Sequence, residues 1–135
     1  CSTSMGLWFF LQNVEGLGFT FDTGNFAYSM ENAMDGLHLL GPWVCHVHLK
    51  DRSRDAAFAN AKDDNWLADL SGERMYPCPV GEGWLGLDEL TRTLIQGGYK
   101  GSFSVEHFGA ADQLEALRRS AEHVLSWLRN ENGVN

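Results

Sequence analysis

The chain has 135 residues, of which 44% are hydrophobic and 21% charged, the balance of one ordinary globular domain with room for a core. Its formal net charge of −8 counts against a nucleic-acid partner, because gripping backbone phosphates takes clustered Lys and Arg. Three cysteines, Cys1, Cys45 and Cys78, form no CxxC pair, so a disulfide framework is not expected and a reducing, cytoplasmic setting is.

Residues 5–14 read as the last turns of a helix. The apolar run GLWFFL at 6–11 is too short to span a bilayer and lacks the basic flank of a signal peptide, so no membrane partner is expected. Residues 17–22 (LGFTFD) are a short apolar and aromatic strand candidate. Met30, Ala33, Met34, Leu37 and Leu40 recur at helical spacing, and Gly41-Pro42 stops that helix. Residues 43–49 form the second strand candidate. Residues 52–79 are polar and aperiodic and read as a long loop, of the kind that serves as a lid at a catalytic mouth or as an interface segment. Leu87, Leu90, Leu94 and Ile95 mark a helix that begins near Asp88 and ends at Gly97-Gly98. Residues 102–106 (SFSVE) are the third strand. Leu114, Leu117, Ala121, Val124 and Leu128 mark a long last helix, expected to fray over 130–135. The chain starts with Cys rather than Met and so reads as cut, processed or taken from a longer product.

Strands that alternate with helices imply parallel strands joined by crossovers. Side chains alternate between the two faces of a strand, so parity sorts them. Leu17, Phe19 and Phe21 oppose Gly18, Thr20 and Asp22. Trp43, Cys45, Val47 and Leu49 oppose Val44, His46, His48 and Lys50. Phe103 and Val105 oppose Ser102, Ser104 and Glu106. Each strand thus has one bulky apolar face and one small or polar face. A doubly wound sheet wants both faces apolar. A (β/α)8 barrel puts helices outside and its chemistry at the C-terminal ends of the strands. Asp22, His48 and Glu106 each sit at such an end, on the same inner face.

FDTGN at 21–25, HVHLKD at 46–51, VGEG at 80–83 before an apolar-acidic helix, and GGYKGSFSVEH at 97–107 resemble, in order, the xylose-isomerase-like barrels of the sugar phosphate isomerase/epimerase superfamily. The resemblance covers nearly the whole chain as one partial TIM-barrel domain over 1–135. It implies the last three βα units of a barrel that needs about 250 residues. It also implies a divalent metal held by a Glu, an Asp, a His and a second Glu. Asp22 would be the Asp, His48 the His and Glu106 the second Glu. The first Glu has no counterpart in this sequence. The other strands would then come from another chain or a homo-oligomer, or the chain is a non-catalytic part.

The resemblance gives Glu106 a second, catalytic role as one of two carboxylates that move a proton at carbon. Asn25 stands where the family often has a His; an amide can hold a sugar hydroxyl but is a poor metal ligand, which weakens a multi-zinc phosphodiesterase reading. His46 shares the face of His48 and is read as supporting it or facing substrate. Lys50 is read as a cation for an anionic or carbonyl oxygen. Arg54, six residues past His48, matches a substrate-contacting Arg of the family. Trp84 beside the glycine turn is read equally as a sugar-stacking ring or a plug, while Trp8, Trp43, Trp66 and Trp127 suit packing.

Oxygen-rich ligands with one imidazole suit Mn, Mg or Co, with Zn a further candidate. Thiolate ligation is not expected, since Cys45 faces outward and Cys78 is alone. The expected activity is metal-dependent isomerisation or epimerisation of a sugar or polyol by proton transfer beside a carbonyl. The alternatives are metal-dependent hydrolase or lyase chemistry on the same scaffold, or a subunit without activity of its own.

Overall fold

A computed structural model describes residues 3–61 and 65–131 of the chain. Its helices and strands follow in the order α1 (Ser4–Asn13), β1 (Phe19–Asp22), α2 (Ala33–Leu40), β2 (Val44–Leu49), β3 (Asp51–Ser53), β4 (Leu67–Ala68), β5 (Arg74–Cys78), α3 (Leu87–Gln96), β6 (Phe103–Val105) and α4 (Gln113–Glu131). The part of the expected frayed end beyond Glu131 lies outside the described residues.

Three strands form a parallel sheet in the order β1-β2-β6. In this α/β arrangement the apolar parity set is the buried one. Phe21, Val47 and Leu49 lie in a core with Leu37 and Leu40 of α2 and Leu87, Leu90 and Leu94 of α3. Thr20, Asp22, His46 and His48 stay partly or fully open on the other face. The sheet does not close into a barrel among the described residues, so that polar face has no opposite wall.

The register is not uniform. Phe19 pairs with Val44, but Thr20 pairs with His46, so the ladder slips by one residue at Cys45. Above the slip, Asp22 stands beside His48 and His48 beside Ser104. Gly18 leaves room for the slip, because a Cβ there would come 2.8 Å from the Cys45 sulfur.

Two expectations change. The helical spacing that began at Met30 starts only at Ala33. Asn32 caps α2 by accepting from the N–H groups of Met34 and Asp35, and Met30 belongs to the preceding turn with φ of 56°. The segment expected to be one irregular loop carries a small antiparallel sheet, β3-β5-β4. Asp51, Arg52 and Ser53 pair with Cys78, Pro77 and Tyr76, and Leu67 and Ala68 pair with Met75 and Arg74. β3 is polar, β4 is two residues long and β5 carries a proline, so neither apolar alternation nor propensity marks them. Cross-strand pairing is what makes them strands.

No helix among the described residues is long and apolar enough to cross a membrane.

Candidate metal centre

The C-terminal end of the parallel sheet gathers the site. Thr23 fixes two strands there. Its buried hydroxyl donates to the Lys50 carbonyl (2.9 Å) and accepts from the Lys50 N–H (2.9 Å), and its own N–H donates to the His48 carbonyl. Asp22, one residue earlier, is thereby held against His48 and Lys50. The Glu106 N–H donates to the Leu49 carbonyl at 3.0 Å, which sets the third strand end at the same height.

Asp22, His48 and Glu106 converge, each offering a ligand atom within 4.8 Å of the others'. His48 Nδ1 lies 2.9 Å from Glu106 Oε2 and 3.9 Å from Asp22 Oδ2. Lys50 Nζ lies 2.8 Å from Asp22 Oδ2 and 3.0 Å from Glu106 Oε1. Burial favours neutral Lys50, but Asp22 and Glu106 outweigh it and raise its pKa above the ordinary lysine value. Burial likewise favours neutral Glu106, but Lys50 and His48 outweigh it and hold the carboxyl below its usual range. The cradle already gathers a cation between two carboxylates. Two hard oxygens and one imidazole suit a small divalent ion, and three protein ligands leave coordination positions open.

Of the other expected site residues, His46 sits one layer below the centre. Its Nε2 is 3.0 Å from Ser104 Oγ and its ring meets His48 edge-on at 5.1 Å between centroids. Asn25 lies in the turn after Asp22, and its N–H donates to the Asp22 carbonyl. Asn25 and Asp22 also line a cleft of about 400 Å³ beside β1. The walls of that cleft combine the apolar Leu7, Phe19, Phe26 and Leu40 with the polar Tyr28, Ser29 and Glu31. Lys50 points into the centre as parity requires, but two carboxylates hold its ammonium. Arg54 turns away to Glu73 and Asp69 and lies over the Trp84 ring at 5.1 Å. Trp84 is exposed, and its backbone N–H donates to the Arg52 carbonyl.

Three positions that shape the strand ends were not evident from sequence. Thr23 is one. Asp51, the last residue of the HVHLKD motif, is buried: its Oδ2 accepts from the N–H groups of Gly81 (3.0 Å) and Gly83 (3.1 Å) and its Oδ1 from that of Arg52 (2.8 Å). Burial raises the Asp51 pKa against these hydrogen bonds. Arg52 is fully buried, donates to the Tyr28 hydroxyl and the Asp51 carbonyl, and leaves its Nε without a hydrogen-bond partner among the described residues. Glycines two apart after an HxKD strand end were the available signal for the Asp51 cage.

The remaining side of the glycine turn is held by α4. The Ser120 hydroxyl accepts from the Val80 N–H, Arg119 pairs with Glu82, and the His123 ring fills the space above Gly81 while bonding Asp88 at 2.7 Å. Burial favours the neutral form of His107 and holds its pKa below the ordinary histidine value. Cys78 is buried in β5, and burial pushes its thiol far up, so it offers no thiolate.

The family model for the xylose isomerase-like TIM barrel matches residues 1–131. The chain belongs to this family. It is 33% identical over 106 residues to inosose dehydratase 1 of Bacillus cereus, covering 78% of this chain and 34% of that protein. The chain thus spans about a third of the length of the curated relative it matches. Two solved structures share the fold. A xylose isomerase domain protein from Planctomyces limnophilus superimposes with a TM-score of 0.71 at 24% identity, over 95% of this chain and 44% of that one. A xylose isomerase-like TIM barrel protein from Mycobacterium smegmatis, in complex with magnesium, gives 0.71 at 21% identity, over 95% and 40%.

Proposed function

We propose that the chain supplies the last three βα units and the metal-ligating strand ends of a barrel that moves a proton at a carbon beside a carbonyl, on a sugar or polyol. The observation that carries this reading is the convergence of Asp22, His48 and Glu106 at three adjacent strand ends. A divalent ion there, with Mn, Mg, Co or Zn all compatible with the donors, supplies Lewis-acid polarisation of substrate oxygens.

The chain's own residues do the rest. Glu106 is the most open of the three, with 39% of its side chain exposed against 13% for Asp22, so it is the carboxylate that reaches a substrate carbon and takes its proton. His46, bonded to Ser104, holds the His48 ring in place. Asn25 offers an amide to a sugar hydroxyl, and Trp84 a flat face at the mouth. Arg54 reaches a substrate only by leaving Glu73 and Asp69. The small antiparallel sheet, whose first strand β3 follows directly on β2, borders the catalytic face in this reading. The open sheet is completed by strands of a longer chain, a second copy or a partner. Unpaired Cys45 and Cys78 suit a cytoplasmic setting.

A second reading is favoured by the relative named as an inosose dehydratase: the proton leaves the same way, but a neighbouring hydroxyl departs as water. Both readings meet one test. The protein, with Mn²⁺, is incubated in D₂O with a panel of ketoses, aldoses and keto-polyols. Deuterium at the carbon beside the carbonyl, lost in Glu106→Gln, is the expected result. A product lighter by one water selects the dehydratase reading. No exchange with any substrate, in protein shown to hold metal, would sink both and leave a subunit without activity of its own.

A further inference from the structure

We propose that Lys50 is a resident counter-cation of the metal centre: its ammonium holds Asp22 and Glu106 together without metal and weakens the chain's grip on a divalent ion. This rests on the reading of Asp22, His48 and Glu106 as metal ligands.

The argument is about which lone pairs are free. Asp22 Oδ1 already accepts from the Gly24 N–H at 3.1 Å. Its other oxygen, Oδ2, is the one turned to the centre, and Lys50 Nζ holds it at 2.8 Å. Glu106 divides its oxygens in the same way: Oε1 lies 3.0 Å from Lys50 Nζ and Oε2 lies 2.9 Å from His48 Nδ1. An ion that bonds Asp22 and Glu106 must therefore take an oxygen that the ammonium now holds, or share it at close range. Like charges so placed repel, and more strongly away from bulk water.

Nor is Lys50 free to swing aside as a surface lysine would. Only 7% of its side chain is exposed. Both its N–H and its carbonyl are tied to the Thr23 hydroxyl. Its stem lies against Gly24, where an added Cβ would come 2.8 Å from Lys50 Cγ. The Phe108 ring lies 5.6 Å from its nitrogen. Gly24 is thus the residue that makes room for the lysine stem. The ammonium stays near the centre with or without metal.

The test is Mn²⁺ titration of the full chain by calorimetry at pH 7, comparing wild type with Lys50→Met and Lys50→Arg, folding being checked by circular dichroism. The Met variant should bind Mn²⁺ about tenfold or more tighter. Lys50→Arg, which keeps the charge, should stay close to wild type. Metal-free Lys50→Met should melt below metal-free wild type, and saturating Mn²⁺ should close the gap. Lys50→Gln serves in the same titration if the Met variant does not fold. A folded, neutral variant that binds Mn²⁺ no tighter than wild type overturns the role of Lys50 alone. If neither wild type nor variants bind Mn²⁺ while folded, the ligand reading of Asp22, His48 and Glu106 fails, and this proposal falls with it.

Discussion

Two carboxylate sites stand a few residues apart at the end of β2, and they are built on opposite principles. Asp22 and Glu106 face an open surface and are held by side chains, the Lys50 ammonium and the His48 ring. Asp51 is buried and is balanced by backbone N–H groups of Arg52, Gly81 and Gly83. Side-chain groups can share a carboxylate with an incoming cation, whereas the backbone N–H groups occupy theirs for good. The first arrangement suits a site that takes up ligand. The second suits a fastening that holds the mouth in shape.

The largest effect is expected where the fastening has no slack. A Cβ at Gly83 would overlap Asp51 Oδ1 and the Arg52 carbonyl, both buried. Gly83→Ala should cost about 3 kcal/mol in urea unfolding, as overpacking does. A variant as stable as wild type would show that the turn can move.

Asp51→Asn should cost about 2 kcal/mol, since one oxygen acceptor becomes a donor facing N–H groups. It also sharpens the comparison through pH. The folded pKa of Asp51 is raised by burial, so the native state binds its proton more tightly than the unfolded chain. That contribution is full below the unfolded value of about 3.9 and is lost as pH rises through the folded value. Unfolding free energies of wild type should therefore fall relative to Asp51→Asn as pH rises from 4 to 7. Parallel curves would refute the burial account.

The open site should answer in the opposite way. His48→Ala removes a half-exposed ring and should change stability by about 1 kcal/mol or less. The same change should abolish Mn²⁺ uptake. A large loss of stability with metal binding intact would reverse the assignment of the two regions.

The parallel strands and their helices were legible because alternation and helical spacing record burial directly. Phe21, Val47 and Leu49 declare the covered face and Asp22 and His48 the open one. Asp22, His48 and Glu106 were legible because each ends a strand on the polar parity. Thr23, Asp51 and Arg52 were not. Their meaning lies in contacts with groups far along the chain, as in the Asp51 link to Gly83, 32 residues on, and the Arg52 link to the Tyr28 hydroxyl, and no local pattern carries that. β3 was hidden for the same reason, since Asp51, Arg52 and Ser53 are polar yet buried. Arg54 matched its expected position in the chain, but Asp69 and Glu73 draw it to the small antiparallel sheet.

The slipped register at Cys45 bears on how this sequence can change length over evolution. Below the slip, Phe19 stands beside Val44; above it, Thr20 stands beside His46. The extra residue lies at the end of the sheet away from the metal centre. Deleting Cys45 would remove the slip and leave Asp22 beside His48. Deleting Phe21 or Val47 would instead turn Asp22 or His48 to the wrong face. Tolerance to insertion and deletion should therefore be lopsided along the same two strands, loose at their beginnings and absent at their ends.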